Sequence, residues 1–235
     1  MIFDTTAVTE LIDKIIGMMP VLLDGTVDVI KIFFWTVILS VPLGFLVALG
    51  RNLRLGFRIG RFDVRPISWI VQLYQLIMRG TPLMLQLMFI MYAPYYLWHV
   101  SMNRFTATIF AFAINYAAYF GEIFRSGIDS IPRGQYEAAK MLGYTKTQTF
   151  FRIILPQVVK RVIPPTGSEF MVLIKDSALA NVIGQPQLFD SAKKLMSSSS
   201  SILPLVIAGV IFLILNAVVE YAFKLCEKKL NYYKG

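Results

Sequence analysis

The chain has almost none of the side chains from which metal sites and most active sites are built. Of its 235 residues one is a cysteine, Cys226, and one a histidine, His99. Single copies allow neither a disulfide framework nor a Cys/His metal set. No Gly-Lys pair occurs, which excludes the phosphate-cradling loop Gly-x-x-x-x-Gly-Lys-Ser/Thr. Charge is also scarce: Asp, Glu, Lys and Arg make up 16% of the chain, where a soluble domain carries about a quarter. The start, Met1-Ile2-Phe3-Asp4, lacks the basic region of a cleaved signal peptide, so the first span is expected to direct insertion itself.

What the chain has instead is apolar length. Hydrophobic residues make up 56% of it, and the charges leave four long gaps, at 32–50, 80–103, 105–121 and 195–219. A helix needs about 20 residues to cross the hydrocarbon layer, and each gap comes close to that length or exceeds it. A fifth segment, Ile153 to Ile174, carries Lys160, Arg161 and Glu169. The two bases sit near its start and can snorkel to the interface, whereas Glu169 cannot easily do so. The uncharged stretch Pro66 to Met78 is too short to cross alone. It is expected to form a bent or interfacial lead-in, broken at Arg79-Gly80-Thr81-Pro82, with Thr81 as N-cap and Pro82 as first helical residue. The serine run Ser197–Ser201 reads as a flexible linker.

Orientation follows from where the bases lie. The formal net charge of +9 comes from Lys and Arg clustered between apolar spans, which is a topology signal and not a nucleic-acid footprint. Arg51, Arg54, Arg58, Arg61 and Arg65 face only Asp63, and the C-terminal end carries Lys224, Lys228, Lys229 and Lys234. The N-terminal segment holds Asp4, Glu10, Asp13, Asp24 and Asp28 against Lys14 and Lys31. The positive-inside rule then places the first loop and the C-terminus in the cytoplasm and the N-terminus outside. Five spans satisfy that parity. The same parity puts the loop Arg125–Arg161, where bases outnumber acids, in the cytoplasm.

That loop predicts a short helix, a turn and a second helix. Pro132 suits a first helical turn, Gln135 to Leu142 is helix-forming, Gly143 is a natural stop, and a second piece follows from Thr145. Ala138 and Ala139 leave room for a partner to approach closely. The pattern Glu137-Ala138-Ala139, three residues, Gly143, nine residues, Ile153, one residue, Leu155-Pro156 resembles the signature of the permease subunits of ATP-binding-cassette importers. Further stretches resemble the permeases for polar amino acids within that group: Arg79-Gly80-Thr81-Pro82, then Asn115-Tyr116-Ala117-Ala118-Tyr119 with Glu122-Ile123 and Arg125, then Leu173 through Ala180.

The resemblance implies an all-α transmembrane fold of the type I importer permease kind, with about five spans near 29–50, 80–100, 105–125, 154–175 and 203–223 and a coupling loop at 131–150. It spans residues 25–230, leaving 1–24 as an extracytoplasmic segment and 231–235 as a cytoplasmic tail. It implies a multi-pass protein of the bacterial plasma membrane. The partners it implies are a dimer of ATPase subunits, a second permease subunit (the same chain or a paralogue) and an extracytoplasmic amino-acid-binding protein, with ATP and magnesium held by the ATPase and no cofactor in this chain. Glu137, Ala138, Ala139 and Gly143 would form the ATPase-coupling loop.

Ionisable groups inside spans mark pathways. Glu169 is expected to meet a substrate ammonium. Asp176, seven residues later and about 10 Å along the same helix face, would line the outer part of the cavity or brace a gate. Pro164-Pro165 just before them is expected to distort the helix. Asn115, Tyr119 and Glu122 form a polar stripe. Asn115 serves either substrate or helix packing, and Glu122 pairs with Arg125 or a loop cation. The rival readings are a permease for another small solute and a non-conducting membrane scaffold for an ATPase.

Overall fold

The computed structural model describes residues 5–52, 57–59 and 62–230. The tail at 231–235, the first four residues, and Arg54, Arg61 and Lys234 of the orientation argument lie outside the described residues. The rest is helical apart from one small ribbon. In order come α1 (Thr5–Asn52), β1 (Phe57–Ile59), β2 (Phe62–Val64), α2 (Pro66–Gly80), α3 (Leu83–Trp98), α4 (Arg104–Asp129), α5 (Arg133–Met141), α6 (Lys146–Thr149), α7 (Leu155–Asp176), α8 (Leu188–Ser199) and α9 (Leu203–Leu230). A π-helical turn, Phe150–Ile154, leads into α7, and a 3-10 turn, Ser177–Ile183, leaves it. The antiparallel ribbon pairs Phe57 with Val64 and Ile59 with Phe62, and was not foreseen from the sequence.

Helix α4 is the centre of the bundle. Its most extensive packing is against α1, and it also meets α2, α3 and α7. The α1–α4 crossing is built from small residues: Gly44 and Ala48 on one side, Ala117, Ala118 and Gly121 on the other. A Cβ on Gly44 would stand 2.5 Å from that of Phe120, and one on Gly121 would run into Val47. Lipid tails are as apolar as leucine, so helices in a bilayer associate through such close backbone approach and not through burial of apolar surface. Around the crossing Leu87, Phe112, Tyr116, Phe120 and Leu173 form the main core. A second cluster holds the first half of α1 to α8 and α9 through Leu22, Val29, Leu188 and Ala208.

Helices α1, α4 and α9 are long and apolar enough to cross a membrane, and α2 with α3 adds a fourth if that bent pair is one span. The pair turns by 107° at its break. The break lies where the sequence places it, but its capping differs. Thr81 ends α2, its N–H and hydroxyl both donating to the Ile77 carbonyl, and Pro82 caps α3. The hydroxyl turns back because the bend leaves the Ile77 carbonyl within its reach.

Three other expectations change. Ser197, Ser198 and Ser199 are helical, their hydroxyls donating to the carbonyls of Lys193 and Leu195, so the serine run extends α8 and is not a flexible linker. Helix α7 runs unbroken through Pro164 and Pro165. Two adjacent prolines remove only two backbone donors, and their fixed φ suits a helix. The departure from α-geometry sits earlier, where Leu155 N–H donates to the Phe150 carbonyl across the π turn, directly before Pro156. Proline has no donor to offer Arg152, and the wider turn fits around that gap.

The crossing generates a test. Gly121→Val and Gly44→Val are expected to lower the unfolding temperature of the detergent-solubilised protein, by an overpacking penalty of about 1–3 kcal/mol each. Gly209→Ala, where a Cβ meets nothing within 4 Å, is expected to leave it unchanged. Differential scanning fluorimetry on the three variants decides the matter.

Candidate functional site

Two regions carry polar chemistry that the packing alone does not require. The first is the loop between α4 and α7. Pro132 caps α5, and Gln135 N–H donates to its carbonyl. Gly143 takes φ +77°, a left-handed conformation that favours glycine, and turns the chain toward α6. Thr145 and Gln148 then close a reciprocal capping box: Gln148 N–H donates to Thr145 Oγ1 at 3.3 Å, and Thr145 N–H to Gln148 Oε1 at 2.9 Å. Beneath the loop Ile131, Ile154, Val158 and Val162 form their own core. Arg161 donates to the Ser130 carbonyl and so ties α7 to the end of α4.

The outer surface of the loop is apolar at its tip. Met141 is 89% exposed and Leu142 74%. Glu137 and Ala138 are exposed beside them. Ala139 is not: it is 1% exposed and turned into the loop's interior. Of the alanine pair only Ala138 is exposed to a partner; Ala139 falls on the one side of α5 that packs into the loop.

The second region is a column of charge inside the bundle. At its lower end Glu122 of α4 accepts from Arg125 Nη2 at 2.6 Å and Nε at 3.2 Å. Arg51 of α1 and Arg79 of α2 approach the same carboxylate at 4.0 and 3.9 Å. Arg51 donates instead to Gln75 Oε1 at 2.6 Å, and Gln75 donates to the Ala118 carbonyl at 3.2 Å. Higher up, the Arg79 guanidinium lies 5.4 Å from the centre of the Tyr119 ring, within cation–π range. The Tyr116 ring follows, 6.1 Å from that of Tyr119. Tyr116 is 2% exposed and donates its hydroxyl to Asp176 Oδ2 at 2.8 Å. Glu169, on the same face of α7 below Asp176, is half-buried and has no hydrogen bond or ion pair among the described residues. The charged neighbours that act on it are Arg79 and Asp176.

Over residues 40–232 the sequence matches the family described as the binding-protein-dependent transport system inner membrane component. The chain belongs to this family. It is 34% identical over 217 residues to the arginine transport system permease protein ArtQ of Bacillus subtilis (strain 168), covering 92% of this chain and 95% of that protein. It is 36% identical over 187 residues to the L-cystine transport system permease protein TcyB of the same organism, covering 75% and 80%. To the putative glutamine transport system permease protein GlnP of Rickettsia prowazekii (strain Madrid E) it is 32% identical, covering 89% and 92%. A crystal structure of an amino acid ABC transporter with histidines superposes with a TM-score of 0.80 at 29% identity, over 97% of this chain and 100% of that one. The inward-facing methionine transporter MetNI superposes at 0.72 with 18% identity, over 92% and 98%, a likeness of fold. The protein is thus an integral inner-membrane permease subunit of an importer, a transport component and not an enzyme.

Within this permease the predicted site residues divide. Glu169 and Asp176 share one face of α7 with Tyr116 between them and the rest of α4. Asn115 does not join them. Its amide donates to the Met78 carbonyl and to Gln86 Oε1, both at 2.9 Å, and Gln86 in turn donates to the Met78 and Thr81 carbonyls. Both Asn115 hydrogens therefore serve the α2–α3 break, satisfying backbone groups that a bend inside a membrane would otherwise strand. Sequence reasoning missed Tyr116 and the position of Arg79. Arg79 falls three residues before the proline of the predicted bend, which marks it as the last cation before the break but not which neighbours it meets. Tyr116 lies one position off the polar stripe and gave no signal.

Asn115→Ala removes two of the bonds that hold the break. It is expected to destabilise the permease by about 1–3 kcal/mol and to speed amide exchange at residues 79–81, read by hydrogen–deuterium exchange mass spectrometry.

Proposed function

We propose that this permease takes up a polar amino acid by alternating access, with five membrane crossings by α1, the α2–α3 pair, α4, α7 and α9, its N-terminus outside and its C-terminus in the cytoplasm. Residues 25–230 form the transmembrane domain. An extracytoplasmic binding protein delivers the solute, and a dimer of separate ATPase subunits, which hold ATP and magnesium, supplies the energy. A second permease subunit completes the pore. The substrate class is supported by the names of the relatives, whose solutes are arginine, cystine and glutamine.

The observation that carries the reading is the carboxylate of Glu169, which has no bonded partner among the described residues. An acid inside a span without a bonded cation is costly, and it is retained where a ligand supplies the cation. Asp176 extends the negative surface outward. A non-conducting scaffold gains nothing from either. The loop supports the rest: α5 and the residue after it offer Met141 and Leu142 as exposed apolar anchors beside Glu137 and Ala138, a small hydrophobic centre of the kind that docks into a partner's groove.

Glu169→Gln keeps the shape and removes the charge. In vesicles holding the assembled transporter, uptake of labelled amino acid is expected to fall at least about tenfold, as loss of a charge-assisted contact implies, while the ATPase still co-purifies. Unchanged uptake would remove the assignment. A panel of labelled amino acids on the same vesicles identifies the solute. Leu142→Glu is expected to do the converse, releasing the ATPase on size-exclusion chromatography while leaving the permease folded.

A further inference from the structure

We infer that the crevice between α4 and α7, beside the root of the loop, binds an anionic phosphate ester, the headgroup of an acidic phospholipid of the inner leaflet. Arg161 is its phosphate-binding group. The crevice lies apart from Glu169 and Asp176, and neither acid lines it.

The cavity has a volume of about 370 Å³, and its walls include Glu122, Ser126, Gly127 and Ser130 of the α4 side and Arg161 and Pro165 of α7. That size falls within the roughly 300–1,000 Å³ of small-ligand sites. The two helices are in contact at Gly127, where a Cβ would collide with Val162. Arg161 is exposed, and among the described residues its guanidinium makes one hydrogen bond, to the Ser130 carbonyl. A guanidinium has five N–H donors in a planar fork and cannot shed its charge. Arg161 is therefore held in position by one donor with the others unused. The Ser126 hydroxyl is exposed and makes no hydrogen bond among the described residues. The Ser130 hydroxyl donates to the Gly127 carbonyl at 2.6 Å and keeps its lone pairs. Pro165 has no N–H, so the Arg161 carbonyl four residues back receives no helical bond. The residues on both sides of that missing bond line the cavity, and an acceptor at membrane depth requires a donor.

Charge selects an anion. The one acid in the wall, Glu122, is already bonded twice by Arg125, with Arg51 and Arg79 at 4.0 and 3.9 Å. That end of the cavity is thus positive, as is the Arg161 end. A guanidinium fork meets phosphate in two parallel bonds, which Lys cannot reproduce. The bare carbonyl and the serine oxygens then accept from hydroxyls on the same ligand. Phosphatidylglycerol carries both parts, a phosphodiester anion and a glycerol with two hydroxyls. Depth agrees with a lipid. Arg161 lies six residues beyond the start of α7, about 9 Å at the helical rise. In the orientation proposed above that is the level of the inner-leaflet headgroups, where basic pockets between spans take acidic lipids. The groove on the other side of α7, lined by Lys160, Pro164 and Glu227, holds about 210 Å³, and its acid has no bonded cation among the described residues, so it would repel phosphate.

Binding is measured by native mass spectrometry on the full-length permease in detergent. It is titrated with phosphatidylglycerol, with phosphatidylcholine of the same acyl chains, and with inorganic phosphate alone. The first phosphatidylglycerol is expected to bind at least about tenfold more tightly than phosphatidylcholine. Arg161→Gln is expected to weaken it about 10- to 100-fold, the range for one charge-assisted bond, with phosphatidylcholine unchanged. Arg161→Lys, which keeps the charge but not the fork, is expected to restore part of the preference. Arg161 also ties α7 to the Ser130 carbonyl, so a second variant leaves that tie alone. Ser126→Leu fills the crevice from α4 and is expected to remove the preference at an unfolding temperature equal to the wild type's. Equal binding of the two lipids overturns the site, and so does a preference that survives either Arg161→Gln or Ser126→Leu. Inorganic phosphate separates the two sources of the anion. No binding of phosphate alone supports the lipid, whereas Arg161-dependent phosphate binding that displaces the lipid overturns the lipid assignment in favour of the free anion.

Discussion

The close crossing of α1 over α4 at Gly44 and Gly121 is the constraint from which the arrangement of charge follows. With no side chain at either position the two backbones approach until Gly121 is in contact with Val47 and Gly44 with Phe120. That closeness brings the end of α1 beside α2, where the Arg51 carbonyl accepts from Ser68 and its guanidinium donates to Gln75. Arg51, Arg79 and Arg125 thereby converge on one carboxylate, Glu122. A larger residue at the crossing would move α1 outward, loosening the seat of α2 and displacing Arg79 with it.

Glu122 cannot satisfy three guanidiniums equally. Arg125, on the same helix three residues away, takes both oxygens at bonding distance, while the two from neighbouring helices stay at 4.0 and 3.9 Å. The local pair wins because its geometry is set by the helix and costs little extra ordering. The consequence, among the described residues, is a graded column: a tightly paired acid, a cation with no bonded donor beside it, then an acid with no bonded cation, then an acid bonded by a tyrosine.

Much of this is legible in the sequence alone. Gaps between charges locate the apolar helices, Arg79-Gly80-Thr81-Pro82 locates the bend, and Gly143 and Thr145 locate the turn of the loop, because each rests on local chemistry with one cheap solution. The misses are of another kind. That Ala139 faces inward, that Ser197–Ser199 remain helical, and which of its two open readings Asn115 takes all depend on which neighbours a residue finds. The Met78 and Gln86 groups that occupy Asn115 lie 37 and 29 residues away. No spacing rule reaches that far. The serines mislead because a hydroxyl that favours turns in water returns to its own helix when a carbonyl three or four residues back is the nearest acceptor.

Loop and acid site are parts of one mechanical element. Arg161 is bonded to the Ser130 carbonyl at the root of the loop, and Glu169 lies eight residues further along the same helix, about 12 Å at the helical rise. Val162 and Val158 press α7 against Gly127 of α4, where a Cβ would collide with Val162. The Arg161–Ser130 bond and the core under the loop thus join the base of the loop to the first half of α7. Between Arg161 and Glu169 stand Pro164 and Pro165, which withhold two backbone bonds from the helix. The two prolines stand between the part of α7 that packs on the loop and the part that carries Glu169, in a helix that runs unbroken through them.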